Sequence, residues 1–203
     1  MILLPSTLDE WTRDFGKGGI KMTLGFSQEI KGVKNFFVSK IWMGLLIDDK
    51  LKQYEYYWDR HVYSLGKPFD NPDDPIKPKL HTIRQGLGRW RAGMDIHMVI
   101  NNRTSNRFQF APTIKCKSVQ DIQIKNVNHL SQHDPMVSVV VEHKSSMGFF
   151  LMAYQVTIDN KTINADTVKS LAINDGFDSV AAFFDYFNKN FTGTLIHWTD
   201  LKY

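Results

Sequence analysis

Lysine, histidine, threonine and arginine fall within six residues at Lys79-Leu80-His81-Thr82-Ile83-Arg84, and Arg89-Trp90-Arg91-Ala92-Gly93 follows close behind. An amine, a hydroxyl and a guanidinium placed so near one another suit an anionic or heavily hydrogen-bonding ligand better than a core. A lysine whose pKa is lowered by burial could take a proton from a threonine hydroxyl or from water. Arg84 or a backbone N–H could then stabilise the oxyanion. The bland alternative has Thr82 satisfying the backbone and Lys79 in an ordinary surface ion pair, which is worth little. These residue types define the class of the site. They do not decide whether it binds or cuts.

Charge points to the same region. The chain carries a formal net charge of +4, yet residues 77–117 hold nine lysines and arginines against a single acid, Asp95. That polarity is an electrostatic footprint for a phosphate-bearing partner, and it nominates His81, Arg84, Arg89, Trp90, Arg91, Arg103 and Arg107 as contacts. The competing reading is a solvated basic face with no partner.

Other motifs are excluded on spacing. Gly16-Lys17-Gly18-Gly19 is no phosphate-cradling P-loop, because the spacing is wrong and no Ser or Thr follows the lysine. His129 and His133 with Asp134 could offer two ligands on one helical face, but Pro135 follows at once in a Ser-, Gln- and Asn-rich segment. No metal site and no cofactor are therefore expected. One cysteine, Cys116, rules out an internal disulfide framework and fits a reducing compartment. The opening Met1–Pro5 is too short for a signal peptide and no apolar run approaches membrane-spanning length, so a cytoplasmic protein is expected.

A length of 203 residues with 42% apolar and 13% aromatic residues predicts a single domain with a real core. Residues 6–20 suit a short helix closed by a glycine-rich turn. Lys21–Ser27 reads as a strand or an extended lead-in. Phe37, Ile41 and Leu45, with Val38 and Trp42 alongside, form one helical face that stops near Gly44. From 46 to 76 charged residues mix with Tyr54, Tyr56, Tyr57, Trp58 and Tyr63, and then prolines 68, 72, 75 and 78 arrive; the expectation is an extended loop. Its aromatics either stack on bases or pack the loop onto the domain.

Beyond Arg84 the period becomes two. Met94–Ile100, Phe108–Ile114, Ile122–Ile124, Ser138–Val141 and Phe149–Ile158 predict strands, with turns at 101–106 and at Asp159-Asn160-Lys161. His97 is expected to face solvent. Asn164–Ile173 predicts a helix broken at Asn174-Asp175-Gly176. A second helix, capped by Asp178 or Ser179, carries Val180, Phe183, Phe184 and Phe187 on one face. Gly193 then ends a connection before a last strand, Thr194–Thr199. The fold class is α+β: a small β-barrel decorated by helices.

Several of these segments, in order, resemble the ASCH domain of the PUA-like superfamily. They are Lys40-Ile41-Trp42-Met43-Gly44, the Lys79–Arg84 stretch, Trp90-Arg91-Ala92-Gly93-Met94, Leu171–Phe177 with the Phe-rich helix, and Ile196-His197-Trp198. The wording, including the His-Trp-Thr-Asp ending, is similar to ASCH proteins common in bacteriophage genomes. The resemblance covers about 22–45, 77–125 and 156–203 of a single domain spanning 1–203. That leaves an N-terminal extension (1–21), an aromatic and Pro-rich insertion (46–76) and a β insertion (126–156).

It implies a compact PUA-like β-barrel whose cleft binds RNA or a modified nucleotide-like ligand, in the host cytoplasm if the gene is viral. One branch of the superfamily hydrolyses N4-acetylcytidine with a Lys, a Thr and a Glu. Lys79 and Thr82 match the first two, and the third position falls on Asp175, a carboxylate one methylene shorter. A third reading is a protein-interaction module whose aromatic insertion at 54–63 docks a partner, a host protein if the gene is viral; changing Tyr56, Tyr57 and Trp58 would then abolish docking. No membrane partner is implied.

Overall fold

The computed structural model describes residues 21–46, 51–127, 136–146 and 148–203. The expected helix within 6–20 and the His129, His133 and Asp134 group lie outside the described residues. Among the described residues twelve strands and four helices follow in the order β1 (Lys21–Gly25), β2 (Glu29–Ile30), β3 (Val33–Lys34), α1 (Phe37–Leu46), α2 (Leu51–Leu65), β4 (His81–Gln85), β5 (Asp95–Ile100), β6 (Phe108–Gln109), β7 (Ile114–Lys115), β8 (Ser118–Asn126), β9 (Val139–Ser145), β10 (Gly148–Ile158), β11 (Lys161–Thr162), α3 (Ala165–Asn174), α4 (Val180–Tyr186) and β12 (Phe191–His197). The fold is α+β and barrel-like, its main antiparallel sheet curled into a half-barrel.

That sheet runs β11-β10-β8-β12-β4, with β9 extending β10. The smaller sheet pairs β1 parallel to β5 and sets β6 and β7 antiparallel against β5. The two join where the Lys117 N–H donates to the His197 carbonyl. Strand alternation builds two cores from this one framework. Ile196 belongs to the core shared by α1, β1, β5 and β6, whereas its neighbour Leu195 belongs to the core beneath α3 and α4. Both are fully buried. Gly193 lies inside β12 rather than before it, opposite Gln85, where an added Cβ would collide with the Arg84 carbonyl.

The insertion at 46–76 corrects the expected loop. Residues 51–65 form α2, because a proline bars helix only around itself and all four prolines come after this helix. Tyr54, Tyr57, Trp58, His61 and Leu65 recur at helical spacing and pack on the first core. Tyr54 meets Trp42 edge-on at 5.2 Å. Tyr57 and Trp58 are thus half-buried packing residues, while Tyr56 and Tyr63 stay exposed. The Pro-rich run from 67 to 80 forms neither helix nor strand.

Elsewhere the periodicities translate directly. Trp42 is a core residue whose indole N–H donates to the Phe110 carbonyl at 2.9 Å. Asn164 and Ser179 cap α3 and α4 by accepting the N–H groups of Thr167 and Ala182. His97, expected to face solvent, is half-buried with Nδ1 3.3 Å from Gln109 Oε1. Among the described residues no helix is long and apolar enough to cross a membrane.

Candidate functional site

The Pro-rich run delivers Lys79 to the junction of two helices. The Lys79 N–H donates to the Lys40 carbonyl of α1, and the Leu80 N–H to the Asn174 carbonyl of α3. Gly44 makes the first approach possible: a Cβ there would sit 3.1 Å from the Lys79 carbonyl oxygen. Gly44 therefore lies within α1, not at its end.

Asn174-Asp175-Gly176 ends α3 in a Schellman motif. Gly176, at φ +89°, donates to Ile173 and Phe177 donates to Ala172. The same glycine gives room to the lysine, since an added Cβ would lie 3.1 Å from Lys79 Cδ and 3.0 Å from Phe37. Lys79 thereby reaches the negative end of the α3 dipole.

There Lys79 Nζ donates to Asp175 Oδ1 at 2.7 Å and to the Asp175 backbone carbonyl, and lies 4.6 Å from the Phe37 ring centroid. Both partners are buried: the Lys79 and Asp175 side chains are 1% and 6% exposed. Burial pulls the Lys79 pKa down to about 8 against the opposing pull of the Asp175 charge. Burial acts to raise the Asp175 carboxyl, but the Lys79 ammonium and His81 outweigh it and hold the group below the usual carboxylate range. The pair is an ion pair up to about the lysine's pKa. Above it a free amine faces a carboxylate.

Behind the pair lies a chain of polar groups. His81 is wholly buried, its Nδ1 3.5 Å from Asp175 Oδ1, a long contact, and its Nε2 2.9 Å from Tyr203 Oη. Burial lowers the His81 pKa, so the ring is neutral. With Nδ1–H turned to the carboxylate, Nε2 accepts from the Tyr203 hydroxyl, which itself accepts from Asn174 Nδ2 at 3.0 Å. Tyr203 is anchored by Gln120, whose amide NH2 donates to the Tyr203 carbonyl and whose Oε1 accepts its backbone N–H. Gln120 Oε1 also lies 3.1 Å from His197 Nε2. Burial pushes the His197 pKa down to about 3.

In front of the pair opens a cleft of about 460 Å³. Lys79, Thr82 and Asp175 form its floor, Phe26, Phe37, Phe177 and Tyr186 its aromatic walls, and Glu29, Ile30 and Lys31 from the β2–β3 hairpin one rim. Thr82 and Arg84, two apart on β4, point to the same side. The Thr82 side chain is buried, and its hydroxyl makes no hydrogen bond to any described residue. Arg84 is committed: Nη2 donates to the Gly25 carbonyl at 2.7 Å, and its guanidinium lies 5.0 Å over Phe26. Burial lowers its pKa, though an arginine stays charged.

The structure thus brings together Lys79, Thr82, Arg84 and Asp175, with His81 behind them. It separates the rest of the nominated set. Trp90 is a core residue, 6% exposed among the first-core side chains, which corrects its reading as a ligand contact. Arg89 and Arg91 are exposed on the β4–β5 connection, Arg103 and Arg107 on the β5–β6 turn, and none of the four lines the cleft. Sequence patterns do not single out Phe26, Asp185, Tyr186 or Tyr203, since an isolated aromatic or acid carries no local signal. Phe177 alone has one, in its place after Asp175-Gly176.

Among the described residues no group of His, Cys, Asp and Glu is placed to hold a metal ion. His143 instead sits between Asp185 Oδ1, 2.9 Å from Nδ1, and the Tyr154 hydroxyl, 3.1 Å from Nε2. No protein-family model, curated protein or solved structure matches the chain.

Proposed function

We propose that the chain is an ASCH-type, PUA-like domain that takes one modified nucleoside, free or presented by RNA, into the cleft floored by Lys79, Thr82 and Asp175. The observation that carries this reading is the buried Lys79–Asp175 pair at the base of a cleft with aromatic walls. A volume of about 460 Å³ suits a single small ligand. Aromatic rings offer stacking faces to a base, and an amine, a hydroxyl and a carboxylate can read its hydrogen-bonding edge. The cleft's charges balance: Lys31, Lys79 and Arg84 face Glu29, Asp175 and Asp185. That balance favours a neutral nucleoside over a polyphosphate. The exposed arginines outside the cleft would meet the backbone of a longer RNA.

A second reading, hydrolysis of an N4-acylated cytosine nucleoside, is favoured by a lysine pKa of about 8 and an unbonded Thr82 hydroxyl lining the same cleft. The neutral Lys79 amine takes the Thr82 proton as the oxygen adds to the acyl carbon. The bond from that carbon to the exocyclic nitrogen breaks, and Lys79 returns the proton to the leaving amine. Water then hydrolyses the acyl-threonine to a carboxylic acid. Asp175 holds the lysine in place throughout.

N4-acetylcytidine, cytidine and a short RNA, offered to the wild type and to Lys79→Ala and Thr82→Ala, test both readings. Calorimetry reads binding and chromatography reads released cytidine. Hydrolysis predicts turnover that falls by about a hundredfold or more in each folded variant. Binding without turnover leaves capture as the function. Neither binding nor turnover with any of the three overturns the proposal.

A further inference from the structure

The β9–β10 hairpin extends the main sheet, and β9 is its last strand on that side among the described residues. The Val127 N–H donates to the Ala153 carbonyl, so Ala153 turns its backbone groups toward β8. Backbone direction alternates along a strand. Phe150 and Met152 therefore turn theirs toward β9, as do their partners His143 and Val141 toward β10. Val140, Glu142 and Lys144 are left with N–H and C=O groups facing outward. Among the described residues no strand or loop takes that edge.

An open edge of this kind recruits another strand unless it is blocked. The charges on β9 are Glu142 and Lys144, both exposed on one face beside Phe149 and Leu151, which are 69% and 65% exposed. We infer that β9 pairs antiparallel with β9 of a second copy of this chain, about a two-fold axis through His143. That register sets Glu142 opposite Lys144 of the partner subunit, twice, and both positions present outward backbone groups that can exchange hydrogen bonds. Shifting the axis to Glu142 or to Lys144 would oppose like charges, which is destabilising. On the exposed face each new ion pair lies between Phe149 of one copy and Leu151 of the other.

On the inner face Phe184 of α4 stacks on Tyr154 of β10 and Asp185 meets His143 of β9, so each α4 sits over its own β9–β10 hairpin. The two-fold axis places the two α4 helices on either side of the seam. The interface joins the sheets of two copies and leaves each Lys79 cleft to its own chain.

The test is sedimentation velocity over a concentration series on the full chain and on the variants E142K and K144E, with circular dichroism to confirm folding. The wild type is expected to dimerise reversibly at micromolar concentration. Each single variant should dimerise about tenfold more weakly or worse, because every cross-strand pair becomes like-charged. Mixing the two variants should restore association, because one copy then presents only positive charge at these two positions and the other only negative. A wild type monomeric at high concentration overturns the inference. So does a dimer indifferent to both reversals, or one that the mixture fails to restore.

Discussion

The Lys79 cleft and the arginine-bearing turns are adjacent in sequence and opposite in physical character. On the cleft floor Lys79 and Asp175 are buried and paired, so the charge state of each depends on the other. On the turns Arg89, Arg91, Arg103 and Arg107 stand exposed to water. A count along the chain weights both regions equally. Desolvation does not, because charges in high dielectric interact weakly while buried ones interact strongly.

Removing one buried partner strains that contrast most severely. Asp175→Ala strands the Lys79 ammonium in the interior and is expected to cost about 3–5 kcal/mol in urea unfolding. Alanine at Arg91 should stay within about 0.5 kcal/mol in the same measurement. Equal, small effects at both positions would mean that water reaches Lys79 and that the cleft floor is no special environment.

A middle-sized effect lies in the pH dependence of stability. His197 is held at about 3, below the ordinary 6.5. Between those values the unfolded chain binds a proton that the native ring refuses, so stability rises with pH and is lost as pH falls from about 6.5 toward 3. Lys79, lowered from 10.5 to about 8, has the same sign in its own window: stability grows as pH rises from about 8 to 10.5. Denaturant unfolding across pH should show both slopes, with His197→Gln flattening the acid limb and Lys79→Met the alkaline one.

The smallest effect is expected on the turns themselves. Converting Arg89, Arg91, Arg103 and Arg107 to alanine together should leave nucleoside binding in the cleft unchanged. For RNA, the slope of log affinity against log salt should shrink by about one for each phosphate that these side chains neutralise. A weaker nucleoside affinity in this variant would show that the arginines reach into the cleft.

Much of the architecture is legible in the chain because local rules suffice for it. The apolar spacing around Trp42 and around Phe183–Phe187, the Asp159-Asn160 turn and the cap at Ser179 all depend on residues within one or two turns. The α2 segment misleads when four downstream prolines are given reach over residues they do not touch. Trp90 misleads in another way: flanking arginines suggest an interface, while the indole turns inward and the guanidinium groups turn out. His81 stands out for its place in a polar stretch, yet β4 turns it away from the cleft that Thr82 and Arg84 face.

The residue types of the site, the helix stop at Asn174-Asp175-Gly176 and the strand carrying Thr82 and Arg84 are local properties of the chain. Each follows from backbone preferences and short-range periodicity. Folding alone brings Asp175 to Lys79 across 96 positions of chain, clears the path with two glycines, and braces the histidines with Tyr203 and Gln120. Those are long-range facts of packing and desolvation. A lysine becomes a weak acid near neutrality through what surrounds its amine, and that surrounding is assembled from distant segments.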